Sequence, residues 1–187
     1  MVEVEKLNVL TLDVETTHKT KEAGGTTALP YFGNRLVSIG YKWLGEEEVG
    51  YDFVFHSDQR AYVDDGWFEK IQDELSSADV VVGQNFKFDL TWLRACGFTY
   101  DGHVYDTMVA EYILAKARRW SLSLDSLAKR YGVTPKEKDL VAPYLKDGKT
   151  FYDIPYEIVK EYGIADVLAT EEVAVKQLEA FGTTFGE

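Results

Sequence analysis

A short apolar, β-prone run at residues 9–12 (VLTL) is followed at once by two acidic residues, Asp13 and Glu15. Such a run is typical of a buried strand. Residues two apart in a strand face the same side, so Asp13 and Glu15 would aim two carboxylates at one point. That arrangement is costly in a folded interior unless a cation lies between the two groups. An isolated Asp-x-Glu is more often a turn with solvated acids, so the pair needs support from elsewhere in the chain.

The remaining strand and helix patterns predict an α/β fold. Further predicted strands cover residues 35–43, 49–55, 79–83 and 104–105. Predicted helices, with apolar residues at helical spacing, cover residues 65–76, 88–96, 106–116, 123–131 and 155–181. Residues 16–34 are polar and contain glycines and a proline, which favours a loop. Strands first, and then strands alternating with helices, predict one domain over residues 1–187 with a mixed central sheet flanked by helices.

Composition limits the classes of protein to consider. One cysteine, Cys96, excludes an internal disulfide and a thiolate metal cluster. No apolar run is long enough to span a bilayer, and the N-terminus lacks the features of a signal peptide. We therefore expect a cytoplasmic protein, in a bacterial cell or a host cell, with no membrane partner. The net charge of −12 argues against a long basic face for duplex nucleic acid, but not against a site that holds only a strand end.

A second polar patch bridges the predicted strand 79–83 and the helix after it. Gln84 and Asn85 supply amide groups there, and Asp89 follows Asn85 by one helical turn. Residues four apart share a helix face, so Asn85 and Asp89 are expected to point the same way. The alternative is that Asn85 caps the helix and Asp89 is an exposed acid in its first turn.

A third patch lies inside the last predicted helix, where Tyr162 and Asp166 repeat the spacing of four. Gly163 in mid-helix costs roughly 1 kcal/mol against alanine. Together with Ala165 it indicates either close packing or access for a ligand. The alternative is a core tyrosine with a solvated aspartate behind it. Each patch is weak alone, but the three together, in this order and each on the expected element, are a strong signal.

The three patches resemble the three motifs of the DEDD exonuclease superfamily in its DEDDy (DnaQ-like) branch. In chain order, the matching positions are Asp13, Glu15 and Thr16, then Asn85 and Asp89, then Tyr162 and Asp166. The likeness is closest to the 3′→5′ proofreading domain of family A (polymerase I-type) DNA polymerases, and it spans roughly residues 9–172. Residues 83–89 (GQNFKFD) are similar to the typical wording of that family's second motif.

The resemblance implies a ribonuclease H-like fold and a metal-dependent 3′→5′ exonuclease that removes nucleoside 5′-monophosphates from DNA 3′ ends in proofreading. Two divalent cations, Mg²⁺ or Mn²⁺, would be held by four carboxylates. By likeness to the family, Asp13 bridges both ions, Glu15 and Asp166 complete the site of the ion that activates water, and Asp89 holds the second ion. Tyr162 orients the attacking water rather than acting as a base, because an ordinary tyrosine pKa is about 10.

Four residues resemble family positions that contact the substrate: Thr16, Gln84, Asn85 and Phe88. Thr16 would donate to the terminal 3′-hydroxyl, and Phe88 would pack near a sugar or a base. Stacking of a terminal base on an aromatic ring is tolerant of sequence, as proofreading requires. Asp106 is expected to make a supporting hydrogen bond or salt link rather than to bind metal. The expected substrate is a single-stranded or frayed DNA 3′ end.

Several alternatives stay open. A 3′→5′ exoribonuclease similar to RNase D would use the same metal chemistry, so the carboxylates do not discriminate between the two. A catalytically silent polymerase-binding module is expected to have lost a carboxylate, and none is missing. Because no polymerase segment follows the third motif, we expect either an excised domain or a free-standing exonuclease that works with a separately encoded DNA polymerase. The loop 17–34 lies beside Glu15 in sequence, which suggests a flap near the substrate.

Overall fold

A computed structural model describes residues 7–20, 26–58, 60, 66–116, 118–133 and 140–186. Its strands are β1 (Val9–Thr16), β2 (Lys19–Thr20), β3 (Thr26–Thr27), β4 (Leu36–Trp43), β5 (Gly50–Phe53), β6 (Val80–Gly83) and β7 (His103–Asp106). Its α-helices are α1 (Trp67–Ser77), α2 (Lys87–Ala95), α3 (Thr107–Leu114), α4 (Leu124–Tyr131), α5 (Ala142–Lys146) and α6 (Tyr156–Phe181). None of the helices in the described part of the chain is long and apolar enough to cross a membrane.

Five strands form one mixed sheet in the order β5-β4-β1-β6-β7. Strand β4 is antiparallel to its two neighbours, β1 and β5, whereas β6 is parallel to its two neighbours, β1 and β7. The predicted α/β fold with a mixed, helix-flanked sheet is confirmed. The chain enters through a meander and then alternates strand and helix, as the order of the sequence patterns indicated.

The prediction of a loop over residues 16–34 is wrong in part. Strand β1 continues to Thr16, β2 and β3 pair as a separate two-stranded sheet, and a 3-10 turn covers Pro30–Phe32. Strands of two residues are too short to show the alternation by which a sequence reveals a strand. Their pairing is held instead by contacts such as those of the buried Asn34, whose side-chain amide donates to the carbonyl oxygens of Thr27 and Leu29 at 2.8 and 2.9 Å.

Side-chain alternation in β1 divides the core into two layers. Leu10, Leu12 and Val14 face a cluster that includes buried residues of α1 and α2, such as Ile71 and Trp92. Full burial of one such leucine stabilises the fold by about 1.5–3 kcal/mol. The residues between them, beginning with Val9, face α6 instead. Asp13 and Glu15 are an even number of residues from Val9 along the strand, so both side chains point to the side of the sheet that α6 covers.

Tyr51 of β5 fills the space between the sheet and α6. A Cβ atom added to Gly163 of α6 would overlap the ring and hydroxyl of Tyr51, and one added to Gly40 of β4 would lie 3.1 Å from the same ring. The Tyr51 hydroxyl donates to the carbonyl oxygen of Val159 at 3.1 Å and shares a hydrogen bond of 2.8 Å with Ser38. Of the two explanations that the sequence left open for Gly163, the structure supports close packing.

Gly163→Ala is expected to destabilise the protein by about 1–3 kcal/mol, because the added methyl group overlaps Tyr51 in a packed interior. Helix propensity alone predicts the opposite sign, a gain of roughly 1 kcal/mol. Urea unfolding of the variant, followed by circular dichroism, separates the two effects. In the Gly163→Ala background, Tyr51→Leu should cost less stability than it does alone, since it removes the overlap. A more stable Gly163→Ala protein would show that the helix does not depend on this contact.

Candidate active site

The carboxylates of Asp13, Glu15 and Asp166 converge near the carboxyl end of β1. Each contributes an oxygen atom, and these atoms all lie within 4.8 Å of one another. Glu15 and Asp166 are only 8% and 7% exposed, and Asp13 is half-buried. Asp13 and Glu15 face the same side of β1, as predicted from alternation, and Asp166 reaches them from α6. Three ionised carboxylates so close together repel one another unless a cation or bound protons reduce their charge.

The chemistry of this group fits a hard divalent cation. All its donors are carboxylate oxygens, which suit Mg²⁺ and Mn²⁺ rather than zinc or copper. Oxygen ligands on opposite sides of one Mg²⁺ ion lie about 4.2 Å apart, since each is about 2.1 Å from the metal. Oxygen atoms within 4.8 Å of one another can therefore close on a single ion by small side-chain movements. Asp13, Glu15 and Asp166 are the described residues able to do so together.

Asp89 is buried, at 3% exposed, and is not part of this three-carboxylate group. Its Oδ1 accepts a hydrogen bond of 3.0 Å from the backbone N–H of Val14. The registered pairs between β1 and β6 stop at Thr11, so Asp89 supplies a partner to β1 beyond the parallel pairing. Burial raises the pKa of Asp89 to about 8, although the hydrogen bond from Val14 opposes the shift. Burial therefore disfavours the ionised form of this carboxyl group unless a cation offsets the cost.

Tyr162 lies beside the carboxylates, one helical turn before Asp166. Its hydroxyl group is hydrogen-bonded to Asp166, and its ring packs against Phe151 at 5.7 Å between centroids. Burial raises the pKa of Tyr162 far above its ordinary value, and the charges of Asp166, Glu15 and Asp13 raise it further. The hydroxyl group thus stays protonated and can donate a hydrogen bond. The alternative of a solvated Asp166 is wrong, because this side chain is buried.

Asn85 does not share a helix face with Asp89, and this prediction is wrong. Helix α2 begins only at Lys87, and Asn85 precedes it in the left-handed conformation, with φ of 53° and an exposed side chain. The alternative of an Asn85 cap is also wrong, since Phe86 is the N-cap residue and makes no side-chain cap bond. The cause is Asp106, whose carboxylate accepts hydrogen bonds from the backbone N–H groups of Asn85 at 3.0 Å and Phe86 at 2.9 Å. These bonds fix the turn and delay the helix.

Asp106 also accepts a hydrogen bond of 2.9 Å from the backbone N–H of Met108 and so caps α3. Asp106 was predicted to make a supporting hydrogen bond or salt link. Within the described residues it makes hydrogen bonds and no salt link. One carboxylate thereby joins the end of β7, the start of α3 and the turn before α2. This arrangement holds the turn that leads into Asp89.

The residues predicted to contact substrate lie at the end of β1, after β6 and in the first turn of α2, and their roles remain predictions. Gln84 donates to the carbonyl oxygen of Leu122 at 2.7 Å and accepts from the hydroxyl of Thr107, so both ends of its amide already serve the fold. Thr16 is 6% exposed and lies where the register between β1 and β4 shifts. Phe88 is half-buried against the core cluster between the sheet and α1 and α2.

Tyr51 is the residue that sequence reasoning missed. Burial raises its pKa well above the ordinary value, and the charge of Glu15 is the next largest cause, with Asp13 and Asp166 contributing. The charges of the three carboxylates therefore act on the phenol of Tyr51. Alternation in β5 could have placed Tyr51 in the core, but its contact with Gly163 joins positions far apart in the chain and has no local signal.

A family model described as 3′-5′ exonuclease matches residues 2–179. The chain is 25% identical over 142 residues to DNA polymerase I of Borreliella burgdorferi, which covers 75% of this chain and 15% of that protein. It is 33% identical over 148 residues to DNA polymerase I of Synechocystis sp., covering 75% of this chain and 14% of that protein. The chain thus aligns with only 14–15% of the length of these relatives.

Solved nucleases share the fold. A nuclease in its apo form has a TM-score of 0.64 at 16% identity, covering 93% of this chain and 74% of its own. Brucella melitensis NrnC with bound Mg²⁺ has a TM-score of 0.57 at 17% identity, covering 97% of this chain and 78% of its own. The same protein bound to pGG has a TM-score of 0.57 at 16% identity, covering 97% and 79%. The predicted ribonuclease H-like fold is confirmed.

The family match covers β1, α2 and most of α6, the three elements that carry the acidic motifs. The chain belongs to the 3′-5′ exonuclease family and is related to the proofreading domain of family A (polymerase I-type) DNA polymerases.

Proposed function

We propose that this chain is a two-metal-ion 3′→5′ exodeoxyribonuclease that removes nucleoside 5′-monophosphates from DNA 3′ ends during proofreading. The observation that carries this proposal is the convergence of Asp13, Glu15 and Asp166 beside the protonated hydroxyl of Tyr162. Membership of the exonuclease family supports hydrolysis from the 3′ end. The relatives in sequence are DNA polymerases, which favours DNA as the substrate.

The chain offers four carboxylates to two cations. Asp13, Glu15 and Asp166 would hold the first, and Asp13 with Asp89 would hold the second, after Asp89 loses its proton. When bound, a pair of divalent ions supplies an activated water and stabilises both the attacked phosphate and the leaving oxygen. The group of carboxylates that lie together consists of Asp13, Glu15 and Asp166. The assignment of Asp89 to the second ion is therefore supported by the family resemblance and not by this group.

The remaining groups of the site position the substrate and the water. Tyr162 would donate its hydroxyl hydrogen to the attacking water or to a phosphate oxygen, because its raised pKa leaves it unable to act as a base. Asn85 has an exposed side chain next to the site and can reach a terminal nucleotide without breaking a bond of the fold. Gln84 would have to exchange its bonds to Leu122 and Thr107 to do the same.

Hydrolysis of RNA is the second candidate. NrnC, which shares the fold, has been solved bound to pGG, and this favours an exonuclease that acts on short oligonucleotides. The carboxylate geometry is equally suited to both substrates. A catalytically silent polymerase-binding module is disfavoured, because all four carboxylates and Tyr162 are present. The polymerase that a proofreading activity would serve is either a further part of the same protein or a separately encoded partner.

Asp13→Ala and Asp166→Ala should each abolish Mg²⁺-dependent release of nucleotides. Removal of a single stabilising group from a catalytic site already costs on the order of 10²–10³ in kcat, and each of these variants also removes a metal ligand. Digestion of end-labelled single-stranded DNA, with and without EDTA, measures the loss. Asp101→Ala, which changes an exposed aspartate outside the site, is the matched control. Full activity in both site variants would refute the assignment.

Tyr162→Phe is expected to lower kcat by about 10–100-fold without changing the shape of the pH–rate profile. The pKa of Tyr162 is raised, so its hydroxyl is neutral throughout the working pH range and supplies no titrating base. Rates measured from about pH 6 to pH 9 for both proteins test this. Disappearance of a limb of the profile in the variant would mean that Tyr162 transfers a proton.

Matched DNA and RNA oligonucleotides of the same sequence will separate the two candidate substrates. We expect single-stranded DNA and mismatched 3′ ends to be shortened faster than fully paired ends, because the site accepts a frayed strand end. The products should be nucleoside 5′-monophosphates, released stepwise from the 3′ end. Much faster loss of RNA than of DNA would replace the DNA assignment by the exoribonuclease.

A further inference from the structure

A groove along the exposed side of α2 brings basic and aromatic side chains together in a chain of net charge −12. It has a volume of about 530 Å³, and its lining includes Tyr31 of the 3-10 turn, Lys87, Thr91 and Arg94 of α2, and Asp106 at the end of β7. Lys87 and Arg94 are seven residues apart, which is about 10 Å along the helix axis. Both cations therefore line one groove at separate points.

The groove is free to bind an anion. Lys87 and Arg94 are exposed, and neither forms an ion pair within the part of the chain that the structure describes. The acid of the groove, Asp106, already accepts hydrogen bonds from three backbone N–H groups. The two cations are thus available to a ligand, whereas the one carboxylate is engaged by the fold.

Tyr31 lines this groove and is 78% exposed. A ring so exposed contributes little to the core. Tyr31 and Ala95 also line a second cavity, of about 630 Å³, which contains Arg35 and Phe55. The guanidinium of Arg35 lies 4.5 Å from the centroid of the Phe55 ring. Tyr31 therefore lines two cavities, each of which contains at least one basic residue. An exposed aromatic ring near cations suits a nucleic-acid base that stacks on the ring while the cations contact the neighbouring phosphates.

The groove begins at the turn before α2 that leads into Asp89, because Asp106 both lines the groove and accepts hydrogen bonds from the backbone N–H groups of this turn. Lys87 lies on the exposed side of α2 and Asp89 on its buried side. Arg35 is tied to the end of β1: its N–H donates to Thr17 Oγ1 at 2.8 Å, and the N–H of Thr17 donates to its carbonyl oxygen at 2.9 Å. A strand whose 3′ end lies at the carboxylates can therefore leave the site past the start of α2 and then follow the exposed side of this helix.

We propose that this groove binds the single strand upstream of the scissile linkage, with Tyr31 stacked on a base and Lys87 and Arg94 in contact with phosphates. The inference rests on the proposed function, because it assumes that a 3′ end lies at the carboxylates. The ligand is a single-stranded nucleic acid of three or more nucleotides. We expect a dinucleotide at the carboxylates not to reach Arg94, which lies about 10 Å farther along α2 than Lys87.

The test uses Tyr31→Ala and Arg94→Ala with two matched controls, Tyr112→Ala and Lys129→Ala, which change exposed residues on α3 and α4. Each protein is assayed with Mg²⁺ on a dinucleotide and on a single strand of about 15 nucleotides. We expect both groove variants to raise KM for the long strand at least about fivefold, with kcat unchanged and with dinucleotide hydrolysis unchanged. Strand affinity in EDTA, measured by fluorescence anisotropy, should fall in parallel.

The salt dependence gives an independent reading. Loss of one phosphate contact should reduce the slope of log K against log salt by about 0.7 for Arg94→Ala, and Tyr31→Ala should leave the slope unchanged.

If all variants match their controls while the wild-type protein digests both substrates, the groove proposal fails and the proposed function stands. Equal losses on the dinucleotide and the long strand would also overturn it, since they indicate damage at the catalytic site. If the wild-type protein binds the strand through these residues but hydrolyses nothing, the proposed function fails, and the groove is a single-strand binding site without a scissile linkage beside it. If it neither binds nor hydrolyses, both fail.

Discussion

The close approach of α6 to the sheet is the constraint on which the three-carboxylate group of Asp13, Glu15 and Asp166 depends. Asp13 and Glu15 come from β1 and Asp166 comes from α6, so their oxygen atoms fall within 4.8 Å only if the helix lies tightly over the strand. Gly163 allows this, because the ring of Tyr51 occupies the space that a methyl group would need. Repulsion among the three acids opposes the arrangement, and the buried apolar residues on both sides of the sheet hold it together. A cation bound between the three carboxylates would relieve the repulsion that packing imposes.

Two further acids, one buried and one half-buried, organise the surroundings of the three-carboxylate group by accepting hydrogen bonds from backbone N–H groups. Asp89 accepts a hydrogen bond from the N–H of Val14, and Asp106 accepts bonds from the turn before α2 and from the start of α3. These bonds satisfy N–H groups where strands and helices end and where regular pairing has no partner to offer. The position of Asp89 relative to the other carboxylates therefore follows from the backbone of β1 itself. The fold and the arrangement of the acidic side chains depend on the same contacts.

Local patterns predicted those parts of the fold and site that depend on local geometry. Alternation placed Asp13 and Glu15 on one face of β1, and the spacing of four placed Tyr162 and Asp166 together, because both pairs lie within regular elements. The same spacing failed for Asn85 and Asp89, since the start of α2 is set by hydrogen bonds to Asp106, about twenty residues away. The contact of Tyr51 with Gly163 was likewise out of reach, because it depends on how a helix settles on a sheet.

A chain of net charge −12 can hold a polyanion only if recognition is local. The acidic site does not repel phosphate once divalent cations are bound, since they reverse the sign of the charge that the substrate meets. Outside the site, long-range attraction is weak, because most of the surface shares the sign of the strand. Binding must therefore depend on a few short-range contacts, such as stacking on an aromatic ring and single cations placed close to phosphates. We therefore expect such a protein to select exposed single-stranded ends over duplex interiors, because only an exposed base can stack and only an end can reach the carboxylates.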